Sequence, residues 1–146
     1  LLDQFPYRRI NPVQLLSKTA AELRAAGLSG SKCRALQDLS EKALAGQLPK
    51  TPQLHRMTEE EIVRSLTVIW GVGRWTAEML LIFYLGRPDI LPLSDLGVRK
   101  GYQRLRGYSI LPTAEKLERA GRRWRPYRTV ASWYLWRSLD TQEPIG

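Results

Sequence analysis

The sequence contains one cysteine and one histidine among its 146 residues. Cys33 alone cannot close an internal disulfide or supply the four thiolates of an iron–sulfur cluster, so neither is expected. Its setting, "SKCRAL", predicts a thiol packed on the inner face of a helix. His55 lies in the polar connector "TPQLHRMT" with no second histidine to complete a metal site, which favours a surface position. The sequence therefore predicts no required cofactor.

Long apolar runs are also missing. No stretch reaches the roughly 18 to 20 residues that a membrane span needs, and no secretory signal is present. We therefore expect an intracellular protein without a membrane partner, located in the cytoplasm or nucleoid of a bacterium or in the nucleus of a eukaryote. The chain opens "LLDQF" without methionine, so we also expect that N-terminal elements are lacking.

Acidic side chains are scarce relative to basic ones. The chain has 23 Lys and Arg against 14 Asp and Glu, a formal net charge of +9. Residues 95–146 carry 11 basic and 5 acidic side chains, whereas residues 1–94 carry 12 and 9. A basic excess concentrated in the last third favours a polyanionic partner such as nucleic acid. The alternative is that the charge serves only solubility.

Alternating strand patterns are absent, and apolar residues recur at spacings of three and four throughout the chain. This predicts an all-α protein forming one globular unit over residues 1–146. We expect a short helix in "NPVQLL", a second from Thr19 to Gly27, and a third from Ser31 to Ala45. "MTEEEIVRSLTVI" predicts a helix capped by Thr58, with three glutamates where the helix dipole favours negative charge.

The second half predicts four more helices. One begins with "RWTAEMLLIFYL" and ends at Gly86, and another follows "LPLSDLGVRKG" with either Ser94 or Asp95 as its cap. "TAEKLERAGRRW" and "PYRTVASWYLWRSL" give the last two. Trp124 and Trp133 are assigned to the core, which is the default position of large aromatic residues.

The stretch "LTVIWGVGRWTAEMLLIFYLG" contains a tight break between two helical segments. Gly71 and Gly73 allow backbone angles that a side chain would forbid, and Arg74 begins the next helix. Unpaired amide N–H groups at such a helix start attract anions, and no Cβ atom would keep a phosphate away. Taken alone, a G-x-G between helices is more often a plain tight turn than a phosphate site.

Three segments in order make the pattern more specific: the G-V-G turn, "LPLSDLGVRKG", and "RRWRPYRTVASWYLW". Together they resemble the helix-hairpin-helix DNA glycosylases of the HhH-GPD superfamily. The third is similar to the W-x-P-W/Y-R segment of the AlkA-type 3-methyladenine branch. The resemblance covers roughly residues 20–140 and places the helix-hairpin-helix motif at about residues 58–85. It implies base-excision repair of double-stranded DNA that contains damaged bases, by a protein we expect to be monomeric.

The resemblance also implies roles for individual residues. Asp95 would be the catalytic carboxylate, and Trp75 and Trp136 would be aromatic residues of the base pocket, together with Met79 at the place of a family tyrosine. The implied DNA contacts are Gly71, Gly73, Arg74, Thr76, Arg99 and Lys100. The backbone carbonyls of Thr67, Ile69 and Val72 would hold a monovalent cation such as Na⁺ or K⁺.

Two departures from the family matter. Trp70 stands where the family commonly has proline before G-V-G, which leaves the turn's detailed shape open, and Met79 leaves the base preference open. Bifunctional members carry a lysine at the position of Trp75, whose amine forms a Schiff base with the sugar. Tryptophan cannot do this, so the resemblance implies a monofunctional enzyme that uses water and leaves an abasic site.

One carboxylate must then suffice for catalysis. Asp95 could stabilise the positive charge that develops on the sugar and orient the attacking water. No general acid is evident, which is consistent with alkylated purines such as 3-methyladenine, because a cationic leaving group needs no proton. Aromatic faces favour such cationic rings.

Three alternatives remain open at this stage. Asp95 could be only a helix cap. The chain could be a non-catalytic helix-hairpin-helix module that binds DNA without sequence preference, in which Asp95 is dispensable. It could also be a helical protein-interaction domain in which the G-V-G turn is incidental, and such a domain would show no salt-dependent DNA affinity.

Overall fold

The computed structural model describes Leu2 and residues 10–140, and from residue 11 onward their regular structure is helical, as the sequence predicted. The helices are α1 (Pro12–Leu16), α2 (Ala20–Ala25), α3 (Gly30–Leu44), α4 (Thr51–Leu54), α5 (Glu59–Thr67), α6 (Arg74–Phe83), α7 (Leu96–Leu105), α8 (Ala114–Gly121) and α9 (Arg128–Asp140), with a 3₁₀ turn at Arg122–Trp124. None of the helices in this described part has the length and apolar character needed to cross a membrane.

Side-chain caps explain why the helix starts were predictable. Thr19 and Thr58 each accept a backbone N–H three residues on, from Glu22 and Glu61, while those glutamates accept the threonine N–H in return. Such reciprocal capping boxes satisfy two backbone donors at once. The short helix α4 was missed, because four residues are too few to show a helical period.

The chain divides into two compact units, Leu1–Ala77 and Glu78–Gly146. In the first unit, α1 and α2 pack against α3. Leu15, Leu23 and Cys33 are buried on these three helices, so the predicted packing role of the cysteine is confirmed. That residues 1–146 form a single domain stays a prediction.

The second unit is organised by the packing of α7 on α9. Its buried core consists of Leu91, Val98, Tyr102, Leu117 and Leu135. Gly101 of α7 lies against the backbone of α9, where a Cβ atom would be only 2.1 Å from the carbonyl oxygen of Leu135. The absence of a side chain at this one position therefore sets how closely the two helices approach.

The two tryptophans assigned to the core behave differently. Trp124 packs against the buried cluster of the second unit, as expected. Trp133 was placed wrongly: it lies on the outer side of α9, with 50% of its surface exposed. The sequence pattern failed there because three of the buried residues of α9 are polar, namely Thr129, Ser132 and Ser138, while apolar residues are exposed, so hydrophobic periodicity does not separate inside from outside.

Candidate functional site

In the turn between α5 and α6, Gly71 has a backbone conformation that favours glycine, whereas Gly73 does not have a positive φ. Gly71 has a φ of +77°, a conformation that residues with side chains rarely adopt. The Val72 N–H donates to the Ile69 carbonyl at 3.1 Å, which closes the turn. A Cβ atom added at Gly73 would meet nothing within 4 Å, so the space beside this glycine is open to a ligand.

Two predicted DNA-contact residues lie at the start of α6, and both are exposed. The Arg74 guanidinium forms hydrogen bonds of 2.8 Å to both carboxylate oxygens of Glu60 on α5. This pairing holds the pKa of Glu60 below its usual value. Arg74 is therefore oriented by a neighbouring helix, whereas the adjacent Thr76 presents its exposed side chain at the same helix start.

The proposed cation site would use backbone carbonyls, and no cluster of three or more His, Cys, Asp or Glu that could hold a metal occurs within residues 10–140. The Ile69 carbonyl accepts the Val72 N–H, which occupies one of its two lone pairs. A second lone pair remains available on such an oxygen. Hard oxygen donors suit Na⁺ or K⁺, so the Ile69 carbonyl is compatible with the proposed monovalent cation.

Asp95 lies in the second unit, immediately before α7, and is 9% exposed. Its Oδ1 accepts the Val98 N–H at 2.7 Å and the indole N–H of Trp136 at 2.8 Å. Of the two candidate caps, Asp95 and not Ser94 is the N-cap of α7. Asp95 is therefore a helix cap. The two hydrogen bonds also hold its carboxylate in a defined orientation, so capping does not exclude a chemical role.

Gly97 is a residue of this site that sequence reasoning missed. A Cβ atom at this position would lie 2.8 Å from Cδ1 of Trp136 and 3.1 Å from Oδ1 of Asp95. Real Cβ atoms essentially never come within 3.0 Å of another heavy atom, so only glycine lets the indole lie against the start of α7. The available signal was the glycine two residues after Asp95 in "SDLG".

Aromatic side chains surround Trp136 in the second unit. Phe83 stacks on it with ring centroids 5.9 Å apart and planes 20° apart, and Trp133 meets it edge-on at 5.9 Å. Phe83 and Trp133 also contact each other and remain about half exposed. Met79 is partly buried on α6. Phe83 had not been singled out, because nothing in its own segment distinguishes it from a core residue.

The two basic residues predicted on α7 differ in their surroundings. Arg99 is partly buried, and its Nε donates to the Pro112 carbonyl at 2.9 Å. Lys100 is exposed. Trp75, which lies in the first unit at the start of α6, is 47% exposed. Arg99 therefore has a structural contact, while Lys100 and Trp75 present surface that a ligand could reach.

Comparison with known proteins gives a consistent result. Residues 2–126 match the family profile described as HhH-GPD superfamily base excision DNA repair protein. The chain is similar to DNA-3-methyladenine glycosylase 1 of Schizosaccharomyces pombe, with 37% identity over 145 residues, which are 97% of this chain and 62% of that protein. It is also 38% identical over 134 residues to the alkylbase DNA glycosidase-like protein mag2 of the same yeast, covering 92% of this chain and 61% of that one.

A solved structure gives the corresponding result for the fold. The structure of the Schizosaccharomyces pombe 3-methyladenine DNA glycosylase in complex with abasic DNA superposes with a TM-score of 0.89 at 34% identity. The match covers 94% of this chain and 68% of that one. The chain thus spans about three fifths of the length of the curated yeast relatives that it matches.

Proposed function

Because the chain belongs to the HhH-GPD superfamily of base excision DNA repair proteins, we propose that it is a DNA glycosylase for alkylated purines such as 3-methyladenine. It would hydrolyse the N-glycosidic bond in duplex DNA and leave an abasic site. The observation that carries the proposal is Asp95, a buried carboxylate held by two N–H donors at the start of α7.

The Asp95 carboxylate would act on the sugar. As the bond between C1′ and the base nitrogen breaks, its electrons leave with the base and the sugar becomes cationic, so a fixed negative charge stabilises this state. Water then attacks C1′ and loses its proton, for which the carboxylate is the acceptor. An alkylated purine carries positive charge beforehand and departs as a neutral base, so no general acid is needed.

The base would be recognised by aromatic side chains. Trp136 and Met79 of the second unit are proposed to contact the base, and the same role is proposed for Trp75 of the first unit. An indole face attracts a cationic ring by about 0.5 to 2 kcal/mol. We therefore expect excision of 3-methyladenine and 7-methylguanine to be much faster than excision of the neutral bases hypoxanthine and uracil.

The backbone of the DNA would be bound mainly by the G-V-G turn. The amides at Gly71 and Gly73 would donate to a phosphate, because the space beside Gly73 is open and the helix dipole of α6 favours an anion. A monovalent cation held by the carbonyls of Thr67, Ile69 and Val72 would add positive charge beside that phosphate. The further proposed contacts are Arg74, Thr76, Arg99 and Lys100.

The test is single-turnover release of 3-methyladenine from alkylated duplex DNA by the wild-type chain and by Asp95→Asn. The asparagine oxygen can still accept from Val98 and Trp136, so fold and DNA affinity should persist while excision falls by about a hundredfold or more. Glu118→Gln, an exposed carboxylate on α8, is the matched control and should remain active. A fully active Asp95→Asn protein would contradict the proposed role.

We further propose that the enzyme is monofunctional. A lyase reaction needs an amine that attacks C1′, and Trp75 stands at the position where such relatives carry lysine. Borohydride added during turnover should therefore trap no covalent protein–DNA adduct, and strands should stay intact until alkali is added. A trapped adduct would show that the monofunctional assignment is wrong.

The alternative is a non-catalytic module that binds DNA through the same turn. It predicts wild-type DNA affinity for Asp95→Asn and no base release by either protein. Base release that depends on Asp95 decides between the two, because only the glycosylase proposal requires the carboxylate.

A further inference from the structure

One face of α3 is turned toward the G-V-G turn. Arg34 and Ala35 lie four and three positions before Asp38, and these spacings make each of them a neighbour of Asp38 on the helix surface. A cleft of about 920 Å³ lies between this side of α3 and the turn, and both α3 and the turn belong to the first unit. α3 had no role in the sequence-based prediction of the site.

Asp38 joins α3 to the turn through a backbone hydrogen bond. Its Oδ2 accepts the N–H of Trp70 at 2.6 Å, although the two residues are 32 positions apart. Its other oxygen pairs with the ammonium group of Lys42. The bonds from Lys42 and from the Trp70 amide hold the pKa of Asp38 below its usual value, so the acceptor is ionised at neutral pH.

Two further contacts from α3 reach the same segment. The Arg34 guanidinium lies 4.2 Å from the ring centroid of Trp70, a cation–π contact that fixes the indole. At Gly71, a Cβ atom would sit 3.5 Å from Cβ of Ala35, so the backbone of the turn runs close to the helix. The residue before the glycines is thus held by its amide and by its ring.

We propose that Asp38 and Arg34 are positioning residues that hold the G-V-G turn in its phosphate-binding conformation by fixing Trp70. The inference rests on the proposed phosphate contact of the turn. Fixing Trp70 restricts the chain just before Gly71, whose glycine backbone would otherwise sample many conformations. The amides at Gly71 and Gly73 then need not be ordered by the DNA, which lowers the entropic cost of binding.

The negative charge of Asp38 makes the proposal testable, because a purely electrostatic role and a positioning role predict opposite changes in DNA affinity when the charge is removed. A carboxylate beside a phosphate-binding turn repels DNA, so removing it should strengthen binding if electrostatics alone decided the matter. A positioning role predicts that removing the Asp38 carboxylate weakens DNA binding. Glu41 lines the same cleft and carries the same charge, which makes Glu41→Leu the matched control for Asp38→Leu.

The experiment measures the affinity for undamaged duplex DNA together with amide hydrogen exchange in the free protein. Asp38→Leu should weaken DNA binding by about tenfold, since a charge-assisted hydrogen bond is lost, and should speed exchange at the Trp70 amide. Glu41→Leu should bind DNA as tightly as wild type or more tightly, with unchanged exchange. Asp38→Asn keeps an oxygen acceptor and should retain most of the affinity and protection, which separates positioning from a loss of folding.

The outcomes distinguish this inference from the proposed function. Gly73→Val tests the phosphate contact itself. If Gly73→Val weakens DNA binding and Asp38→Leu does not, the positioning role is overturned while the phosphate contact stands. If neither variant affects binding, the phosphate contact of the turn fails and the positioning role fails with it.

Discussion

At the scale of single residues, Asp95 combines two tasks that sequence analysis had treated as alternatives. One oxygen caps α7 through Val98 and accepts the Trp136 indole N–H. A carboxylate that is fixed in this way needs no reorganisation when charge develops on a substrate, which is the condition for effective electrostatic catalysis. Trp136 is therefore a partner of the carboxylate in addition to its proposed place in the base pocket.

Gly97 is the residue whose substitution tests this arrangement. Gly97→Ala should push the indole of Trp136 away from Asp95, because the added methyl group would lie 2.8 Å from the ring. Excision should fall by about tenfold or more through loss of the 2.8 Å hydrogen bond, while DNA affinity should change little. Single-turnover excision and equilibrium DNA binding are the measurements.

A double-mutant cycle provides the control for Gly97. Trp136→Phe removes both the indole N–H and the ring edge that the methyl group would strike. In that background Gly97→Ala should cost less activity than it does in the wild type, since the indole contact is already absent and only the 3.1 Å approach to Oδ1 of Asp95 remains. Additive losses would contradict the proposed packing of Gly97, Trp136 and Asp95.

At the scale of elements, the start of α9 is tied to the segment that precedes α7. Arg128 donates to both carboxylate oxygens of Asp89, at 2.6 and 2.8 Å, and to its carbonyl oxygen. Thr129 accepts the Ile90 N–H and donates to the Arg87 carbonyl. These bonds fix the first turn of α9, the helix that carries Trp136 about two turns further on.

The Asp89–Arg128 pair predicts a pH dependence of stability. The pair holds the pKa of Asp89 below its ordinary value of 3.8, so its contribution is complete above that value and is lost as the pH falls below it. Asp89→Asn should lower the free energy of unfolding by about 2 kcal/mol at pH 7. Because the asparagine side chain does not ionise, the stability of the variant should fall less than that of the wild type when the pH drops below 3.8.

Denaturant unfolding at several pH values measures both effects. Arg128→Met should give a similar loss at pH 7, and adding Asp89→Asn to it should cost little more, because both variants remove one pair. If the free energy of unfolding falls by the same amount between neutral and acidic pH in Asp89→Asn as in the wild type, carboxylates other than Asp89 cause the pH dependence.

At the scale of the whole molecule, the dominant property is the net charge of +9. A protein that contacts phosphates with cationic side chains releases counterions on binding, so affinity falls with salt. Such binding does not depend on base sequence, which is consistent with the proposed glycosylase function. The interaction-domain alternative makes no such prediction.

Binding to undamaged duplex DNA should therefore weaken by about tenfold or more between 50 and 200 mM salt, and similarly for unrelated sequences. Lys100→Gln should reduce the slope of log affinity against log salt by about one unit if this exposed lysine contacts a phosphate. Lys18, which pairs with Glu22 on α2, is the control, and Lys18→Gln should leave the slope unchanged. Salt-insensitive binding would count against DNA as the partner.

The sequence alone determined those structural features that depend on interactions between residues close together in the chain. Helix periods, the threonine caps at 19 and 58, and the φ of +77° at Gly71 follow from interactions within a few positions. These signals fixed the helical class and the location of the turn. They failed where local signals were weak, in the four-residue α4 and on α9, where Trp133 was assigned to the core and lies exposed.

Only the tertiary structure decided which of these features act together. Asp95 and Trp136 are 41 positions apart, and Asp38 and Trp70 are 32 apart. No periodicity or capping pattern links residues at such separations, because their contact depends on how whole helices pack. The close approach of α7 and α9 at Gly101 brings the indole to the carboxylate, and the placement of α3 beside the turn brings Asp38 to the Trp70 amide.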